Sequence, residues 1–317
     1  MGRTRGPSIL AFFNSSGTVS KVGNLFVELH YARLLFSFTL KNDVSDPHAF
    51  FASRSEFEDA YRRSLSCRRG ECTGCGSGRG CSYPATFGQV IAKDPEAVRR
   101  HQKPPLPFVF QFPVLSPVPN RGRTFELGLN LIGSAVQNVF CYIRAVEQLI
   151  EMKKGALVAI EAESPGGTRT PVKAGDHPAL PLLSGLEPAS TGPLSTETVS
   201  ISLLTPLKLM HEGRLLKIFT FSQFARCLMR RVSSLSYHYE GAEPSLDYRW
   251  LSQSSASVVT LESDCRFASW SGRPAGIVGT ARFHGDLEPF HLLLQLGMAT
   301  HLGKGASFGF GAYRVDS

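Results

Sequence analysis

One order of apolar patterns, β-α-β-β-α-β, occurs twice along this chain of 317 residues. Alternating apolar residues predict strands, and apolar residues three or four positions apart predict helices. In the first half, strand patterns lie at 34–41, 108–114, 125–131 and 158–162; in the second half they lie at 201–209, 258–270, 277–284 and 308–313. Capping boxes at Ser53, Ser134 and Thr220 open three of the four helices, and Asp286 opens the fourth. The repeated order predicts an α+β protein made of two ferredoxin-like (βαββαβ) domains in tandem.

The composition of the connecting segments divides the chain. We expect a flexible extension (1–28), an N-terminal domain (29–165), a linker (166–196) and a C-terminal domain (197–317). Residues 164–196 are dense in Pro, Gly, Ser and Thr, which is typical of linkers and long loops. The chain has neither an apolar run of 18 residues nor a secretory signal pattern, so we expect a cytoplasmic protein that does not enter a membrane.

The charge of the chain favours an anionic partner. Lys and Arg number 34 against 26 Asp and Glu, a net charge of +8, and nucleic acid is the common partner of a basic protein. Many soluble proteins with this charge bind nothing acidic, so charge alone does not decide. A charged content of 19% and an apolar content of 42% exclude a coiled coil and a disordered chain.

Four of the seven cysteines, Cys67, Cys72, Cys75 and Cys81, lie in one short insertion (67–81) of the first domain. Arg, Gly and Ser fill the gaps, so this insertion cannot pack a core of its own, whereas four thiolates around Zn²⁺ would fold it. The spacing lacks the long separation of common zinc pairs, which leaves an iron–sulfur cluster open. Four free thiols are the alternative. We predict a structural zinc ion that takes no part in catalysis.

The segment 301–311 holds four glycines in nine residues: Gly303, Gly305, Gly309 and Gly311. It is not a P-loop, because Gly305 stands where that motif requires Ser or Thr, and it does not match the dinucleotide-binding motif. Glycines permit positive φ and close approach of the backbone, and successive N–H groups beside Lys304 can cup a phosphate. A helix cap followed by a tight turn requires only one or two glycines.

Residues 297–315 (G-M-A-T-H-L-G-K-G-A-S-F-G-F-G-A-Y-R-V) resemble the C-terminal glycine-rich signature of the CRISPR-associated, repeat-cleaving endoribonucleases, the sixth of the numbered Cas families in the RAMP superfamily. Segments 205–209, 224–232 and 276–290 also resemble this family. The resemblance covers about residues 30–317. It implies binding of CRISPR repeat RNA and cleavage without a metal, in which a ribose 2′-hydroxyl attacks the adjacent phosphate and leaves a 2′,3′-cyclic phosphate and a 5′-hydroxyl.

The resemblance also indicates site residues. It places a catalytic histidine between the first strand and the first helix, where His48 is the only histidine; an ordinary loop histidine is the alternative. Tyr61, Tyr31 and His30 are the weaker catalytic candidates. The expected RNA contacts are Gly303, Lys304, Gly305, Ser307, Gly309, Gly311, Arg282 and Arg230. Arg230 and Arg282 equally suit a solvated helix face and a polar sheet face.

Two departures from the family keep other functions open. The segment Trp270–Gly276 is short where many relatives carry a basic stretch, and the first helix lacks a Gly-rich opening. The first alternative is therefore a non-catalytic subunit that holds guide RNA in a complex with other CRISPR effector subunits. The second is a zinc-stabilised protein-interaction module without affinity for RNA.

Overall fold

The computed structural model describes residues 29–46, 48–67, 72, 75, 80–89, 94–101, 103–115, 119–173, 179–184, 194–211, 214–270 and 273–316. The predicted extension (1–28) lies outside these residues. Within the described ranges, no helix is both long enough and apolar enough to cross a membrane.

The first half of the chain forms one five-stranded antiparallel sheet with helices on one face. Its elements are β1 (Tyr31–Leu40), α1 (Arg54–Ser64), α2 (Ser82–Phe87), α3 (Pro95–Arg100), β2 (Phe108–Gln111), β3 (Thr124–Ile132), α4 (Val139–Met152), β4 (Gly155–Glu163) and β5 (Arg169–Pro171). The strand order is β2-β3-β1-β4-β5. Because side chains alternate along a strand, β1 directs Leu34, Phe36 and Phe38 into a fully buried cluster with residues of α1 and α4.

The second half forms a second antiparallel sheet. Its elements are β6 (Thr198–Leu207), β7 (Met210–His211), β8 (Arg214–Leu215), α5 (Phe221–Tyr239), α6 (Tyr248–Ser257), β9 (Val259–Ser263), β10 (Arg266–Trp270), β11 (Arg273–His284), α7 (His291–Thr300) and β12 (Tyr313–Asp316). The strand order is β10-β11-β6-β12, β9 also pairs with β11, and β7 and β8 form a separate two-stranded sheet.

Both halves share one topology once the added elements are set aside. In each sheet the second, third, first and fourth main strands lie side by side, with one helix between the first and second and another between the third and fourth. The predicted α+β class, with antiparallel sheets, is confirmed.

The two halves are packed against each other. Tyr31, Val109 and Ile132 of the first sheet are buried in one cluster with residues of α5 and α7. In return, Phe308 of the second half is buried in the core of the first half. The apolar face of the first sheet that carries no helices therefore becomes the interface with the second half.

Two predictions about local structure, the last strand and the linker, differ from the structure. The predicted strand over 308–313 is wrong: a 3₁₀ turn spans Ala306–Phe308 and β12 begins only at Tyr313, because positive φ at the glycines interrupts an extended chain. Part of the predicted linker belongs to the first sheet, since it contains β5 and the N–H of Leu183 donates to the oxygen of Tyr31 over 2.8 Å.

The capping boxes behave unequally. Thr220 caps α5 by accepting from the N–H of Gln223 over 3.3 Å, as predicted. Ser53 precedes α1 without making a side-chain cap bond, and Ser134 lies inside a 3₁₀ turn that precedes α4.

Candidate functional site

His48 lies in the connection between β1 and α1, with a half-buried side chain. Its backbone N–H donates to Oδ1 of Asp46 over 2.9 Å, and its ring lies edge-on to the ring of Phe51, with centroids 5.6 Å apart. These contacts hold the imidazole at a cavity of 340 Å³. The structure thus places the predicted catalytic histidine where its ring can meet a ligand.

The two halves of the chain build this cavity together. Phe51 comes from the first half, whereas Thr205 and Phe310 come from the second. The rings of Phe51 and Phe310 lie 5.6 Å apart. Oγ1 of Thr205 donates to the oxygen of Gly309 over 2.7 Å and accepts from the N–H of Ala312 over 2.9 Å, so this hydroxyl fixes the glycine-rich segment at the cavity.

The glycine-rich segment takes a conformation that only glycines adopt easily. The φ angles of Gly303, Gly305, Gly309 and Gly311 are +82°, +88°, +84° and +67°. A Cβ at Gly303 would lie 2.4 Å from the oxygen of Lys208, and one at Gly311 would lie 1.8 Å from the oxygen of Leu302. All four glycines are therefore explained by backbone conformation, two of them also by close backbone contact.

Buried aromatic contacts anchor the middle of this segment. The ring of Phe308 lies 5.6 Å from that of Phe108 and 5.9 Å from that of Phe110. Ser307 beside it is buried, so its hydroxyl is not presented to RNA in this conformation. Lys304 is exposed, and its N–H donates to the oxygen of Lys208 over 2.9 Å. Of the predicted contacts in this segment, Lys304 offers the accessible side chain.

A second cavity, of 540 Å³, is lined by cations from both halves. Its Lys and Arg residues are Arg99, Arg100, Lys103, Lys208, Arg230, Arg231 and Lys304. None of the described residues that line it is acidic, although Glu243 nearby forms an ion pair with Arg100 over 3.3 Å. We refer to it as the basic cavity. It brings together the predicted RNA-binding residues Lys304 and Arg230.

The electrostatics of the basic cavity show its excess of positive charge. Burial, and secondarily the charge of Lys304, lower the pKa of Lys208. Arg231 is half-buried, and loss of hydration lowers its pKa to about 10, so it remains charged at neutral pH. Its guanidinium donates to the oxygen of Thr300 over 3.1 Å. Arg99 and Arg100 pair with the carboxylates of Glu96 and Glu243, but seven cations outnumber these two carboxylates, and such an excess of positive charge favours an anionic ligand.

Lys208 connects the basic cavity with the cavity at His48. Its Nζ lies 4.8 Å from the centroid of the Phe310 ring, a cation–π contact. Phe310 lines the His48 cavity, whereas Lys208 lines the basic cavity. The two cavities are therefore neighbours across one aromatic ring.

Tyr61 is a core residue. Its side chain is fully buried, its hydroxyl donates to Oγ of Ser82 over 2.9 Å, and Oγ1 of Thr86 donates to it over 3.1 Å. Burial raises the pKa of Tyr61 to about 12. A buried phenol held by two hydroxyls has no access to RNA, so this placement argues against a catalytic role.

His30 immediately precedes β1 and Tyr31 is its first residue, whereas His48 lies in the connection that follows the end of this strand. Nδ1 of His30 lies 3.5 Å from the carboxylate of Glu240, and Tyr31 is buried beside a cavity of 830 Å³ between the two halves. This larger cavity adjoins the His48 cavity, since Val114, Leu204 and Thr205 line both. Neither His30 nor Tyr31 lines the His48 cavity itself.

Arg282 is exposed on β11, opposite Ser200 of β6, and does not line either cavity. Four cations of the basic cavity were not predicted from the sequence: Arg99, Arg100, Lys103 and Lys208. The one local feature of the sequence that indicates a basic surface here is the run of basic residues at 99–103.

The four cysteines of the insertion do not form a preformed metal site. Cys67, Cys72, Cys75 and Cys81 form no disulfide bond with any described residue. In the described part of the chain, no three His, Cys, Asp or Glu residues are grouped so as to hold a metal ion. The thiols as placed therefore do not fit the predicted tetrahedral zinc, which would require this insertion to rearrange on binding.

Comparisons with known proteins agree with this architecture. Residues 201–313 match the family described as CRISPR-associated endoribonuclease Cas6, and residues 29–180 match a family described as an N-terminal domain. No curated protein matches the chain.

Solved structures extend the comparison to nearly the whole chain. A Thermus thermophilus Cas6 is 14% identical, with a TM-score of 0.54 over 90% of this chain and 98% of that one. The Cas6 product complex of the same protein gives 14% and 0.52 over 89% and 98%. A partial Cas6-RT-Cas1–Cas2 complex gives 13% and 0.53 over 92% of this chain and 46% of that one. The resemblance inferred from the glycine-rich signature is confirmed: residues 201–313 match the family of CRISPR-associated Cas6 endoribonucleases, and the fold of nearly the whole chain is similar to that of solved Cas6 proteins.

Proposed function

We propose that this protein is a metal-independent endoribonuclease that cuts CRISPR repeat RNA into guide RNAs. The observation that carries the proposal is the placement of His48 and Phe310 of the glycine-rich segment in one cavity, beside the basic cavity. The position of His48 between β1 and α1, together with the packing of the two halves, brings an imidazole that can transfer protons close to a basic cavity that can attract phosphate.

The proposed reaction requires two proton movements. A ribose 2′-oxygen attacks the adjacent phosphorus and loses its proton, while the bond from phosphorus to the 5′-oxygen breaks and that oxygen gains a proton. The products are a 2′,3′-cyclic phosphate and a 5′-hydroxyl. The imidazole of His48 serves as the base for the first movement or as the acid for the second, and such assistance typically contributes 10²–10⁴-fold.

The basic cavity supplies the proposed RNA contacts. Lys304 at its rim and Arg230 on its wall face solvent space that carries no acidic side chain among the described lining residues. Phosphates of the RNA backbone would replace the missing negative charge, and each neutralised phosphate would add to the salt dependence of binding. The solved product complex of a Cas6 with the same fold supports this use of the fold.

Several finer predictions remain part of the proposal. The strand order of both sheets supports two ferredoxin-like units. The solved Cas6-RT-Cas1–Cas2 assembly supports other CRISPR proteins as partners alongside repeat RNA. A structural zinc ion in the Cys-rich insertion and a cytoplasmic location complete it.

One observation favours a non-catalytic RNA-binding subunit as the second candidate. Among the described residues that line its cavity, His48 is the one side chain suited to general acid–base catalysis. A two-step proton transfer then relies on a single imidazole, or on the RNA and water. Such a subunit would use the same basic cavity without cutting.

Single-turnover incubation with repeat RNA in EDTA separates these functions. We expect cleavage by the parent protein, and a loss of at least about a hundredfold in His48→Ala with RNA binding nearly unchanged. His284→Ala is the matched control, because His284 is an exposed histidine six positions along β11 from the lining residue Val278.

The other outcomes are equally clear. If His48→Ala cuts within threefold of the parent, His48 is a bystander. Salt-sensitive binding without cleavage by the parent supports the RNA-binding subunit. Absence of RNA binding at any salt concentration supports the protein-interaction module and overturns the proposal.

A further inference from the structure

A row of polar side chains crosses the face of the first sheet that packs on the second half. Asn130 of β3 and Glu163 of β4 lie opposite Arg33 of β1, one on each side of it. Nε of Arg33 donates to Oδ1 of Asn130 over 3.0 Å, and its Nη1 lies 3.2 Å from Oε1 of Glu163. Asn130 is fully buried between Leu129 and Leu131 in sequence. A buried amide in an apolar strand is costly unless it is hydrogen-bonded, so its partners explain its presence.

The other partner of Asn130 is the end of α7. Its Nδ2 donates to the oxygen of Ala299 over 2.7 Å, across 169 positions of sequence. The last carbonyls of a helix have no partner within the helix, so they need donors from elsewhere. Arg231 of α5 donates to the next carbonyl, that of Thr300, over 3.1 Å, and its charge suits the negative end of the helix dipole. The C-terminus of α7 is thus held from both halves of the chain.

The glycine-rich segment begins directly after this clamped end. His301 takes a φ of +52°, and the N–H of Leu302 donates to the oxygen of Gly311 over 3.2 Å, which closes the base of the segment. Phe310, which directly precedes Gly311 at this base, lines the His48 cavity. The buried ring of Phe308 can shift slightly and keep its apolar contacts, whereas a short hydrogen bond weakens when its distance or angle changes. The polar clamp at its start and the bonds of Thr205 near its end therefore set the position of the segment more strictly than the Phe308 ring does.

We propose that Asn130 is a positioning residue for RNA cleavage: it fixes the end of α7, and with it the glycine-rich segment, relative to β1, the strand that leads to His48. This inference rests on the proposed endonuclease function for its effect on rate. Its structural part, the control of the segment by Asn130, stands independently of that function.

Asn130→Asp is the test variant, because it keeps the shape and the acceptor for Arg33 but replaces the donor to Ala299 with a carboxylate. Single-turnover cleavage at saturating repeat RNA should fall at least tenfold, while the Kd for RNA changes less than threefold. Thr86→Val is the control, since Thr86 is buried in the same half and bonds to Tyr61 over 3.1 Å, away from α7. This variant should lose stability and cleave normally.

Hydrogen exchange of the amides of residues 302–311 tests the structural part without activity. Exchange should speed up at least tenfold in Asn130→Asp and stay unchanged in Thr86→Val. If Asn130→Asp does not fold, Asn130→Ser removes both bonds without burying a charge and takes its place. Normal exchange in a folded variant overturns the inference, as does an equal loss of cleavage in Thr86→Val. If the parent does not cut RNA, the proposed function fails while the exchange result still decides the role of Asn130.

Discussion

Gly311 offers a direct measure of how tightly the glycine-rich segment is built. A Cβ added there would lie 1.8 Å from the oxygen of Leu302, a backbone atom that cannot rotate away. Gly166, in the turn between β4 and β5, provides the matched control. It has a similar φ of +87°, against +67° at Gly311, but a Cβ there would meet no atom within 4 Å. Comparing alanine at the two positions separates close contact from backbone conformation.

The structure sets the size of the difference. Alanine in the left-handed region costs about 1–2 kcal/mol at either site. At Gly311 the clash also displaces two backbone hydrogen bonds, from the N–H of Leu302 to Gly311 over 3.2 Å and from the N–H of Gly311 to Pro206 over 3.1 Å. Each such bond contributes about 1 kcal/mol. We therefore expect Gly311→Ala to lower the free energy of unfolding by about 3–4 kcal/mol, and Gly166→Ala by about 1–2 kcal/mol.

Urea denaturation followed by circular dichroism measures both values, provided that the two variants share the slope of the parent. Equal losses of stability would refute the reasoning, because the segment would then yield to a methyl group at no cost. The result also guides activity assays. A Cβ at Gly309 would lie 3.1 Å from ring atoms of Phe51 and Phe112, which are side chains that can shift. Loss of cleavage in Gly309→Ala then reports on the site, whereas in Gly311→Ala it reports on folding.

Three further measurements test the charge, the thiols and the buried imidazole. Lys304→Ala should reduce the salt slope of RNA binding by about one. Lys217 is exposed and does not line the basic cavity, so Lys217→Ala should leave this slope unchanged. Equal slopes in the two variants would exclude Lys304 from the RNA interface. Metal analysis of anaerobically purified protein should find close to one zinc per chain, lost when Cys72 and Cys75 are both changed to Ser, and metal-free parent protein would end the zinc hypothesis. Burial, with the nearby guanidinium charges, lowers the pKa of His301 from 6.5 to about 3. As pH falls, the imidazole is therefore protonated in the unfolded chain before it is protonated in the folded one, so the free energy of unfolding decreases from pH 6.5 towards pH 3. Between pH 7 and pH 5, the free energy of unfolding of the parent should fall by about 2 kcal/mol more than that of His301→Asn. Equal decreases would show that folded His301 accepts the proton.

The order of strands and helices was predictable because apolar periodicity reports directly which face of an element is buried. The segment after α7 was not. Its residues Phe308 and Phe310 alternate with glycine as in a strand, but the two rings enter different surroundings: Phe308 enters the core of the first half and Phe310 lines the His48 cavity. Positive φ at the glycines between them makes this possible, and periodicity carries no information about φ.

The candidate site was predictable only where sequence position alone is informative. His48 stands out as the one histidine between the first strand and the first helix. Tyr61 follows Phe57 on the apolar face of α1, so its helical spacing already indicated burial rather than catalysis. The basic cavity was beyond local reasoning, because the fold collects its cations from α3 and the residues after it, from the end of β6, from α5 and from the glycine-rich segment.

The backbone and the side chain of Lys208 act on the same segment in different ways. Its carbonyl oxygen accepts the N–H of Lys304, which holds the rim of the basic cavity, while its ammonium group lies over the ring of Phe310 at the His48 cavity. A phosphate that entered the basic cavity would relieve the repulsion between Lys208 and Lys304, the charge that contributes to the lowered pKa of Lys208. Because the phosphate would restrict the motion of both lysines, the ring of Phe310 in contact with Lys208 would also move less beside His48. In the proposed function, binding of the RNA backbone and presentation of its cleavage site to the imidazole would therefore be coupled through Lys208, because a phosphate bound on one side of the Phe310 ring would lie next to the cavity on the other.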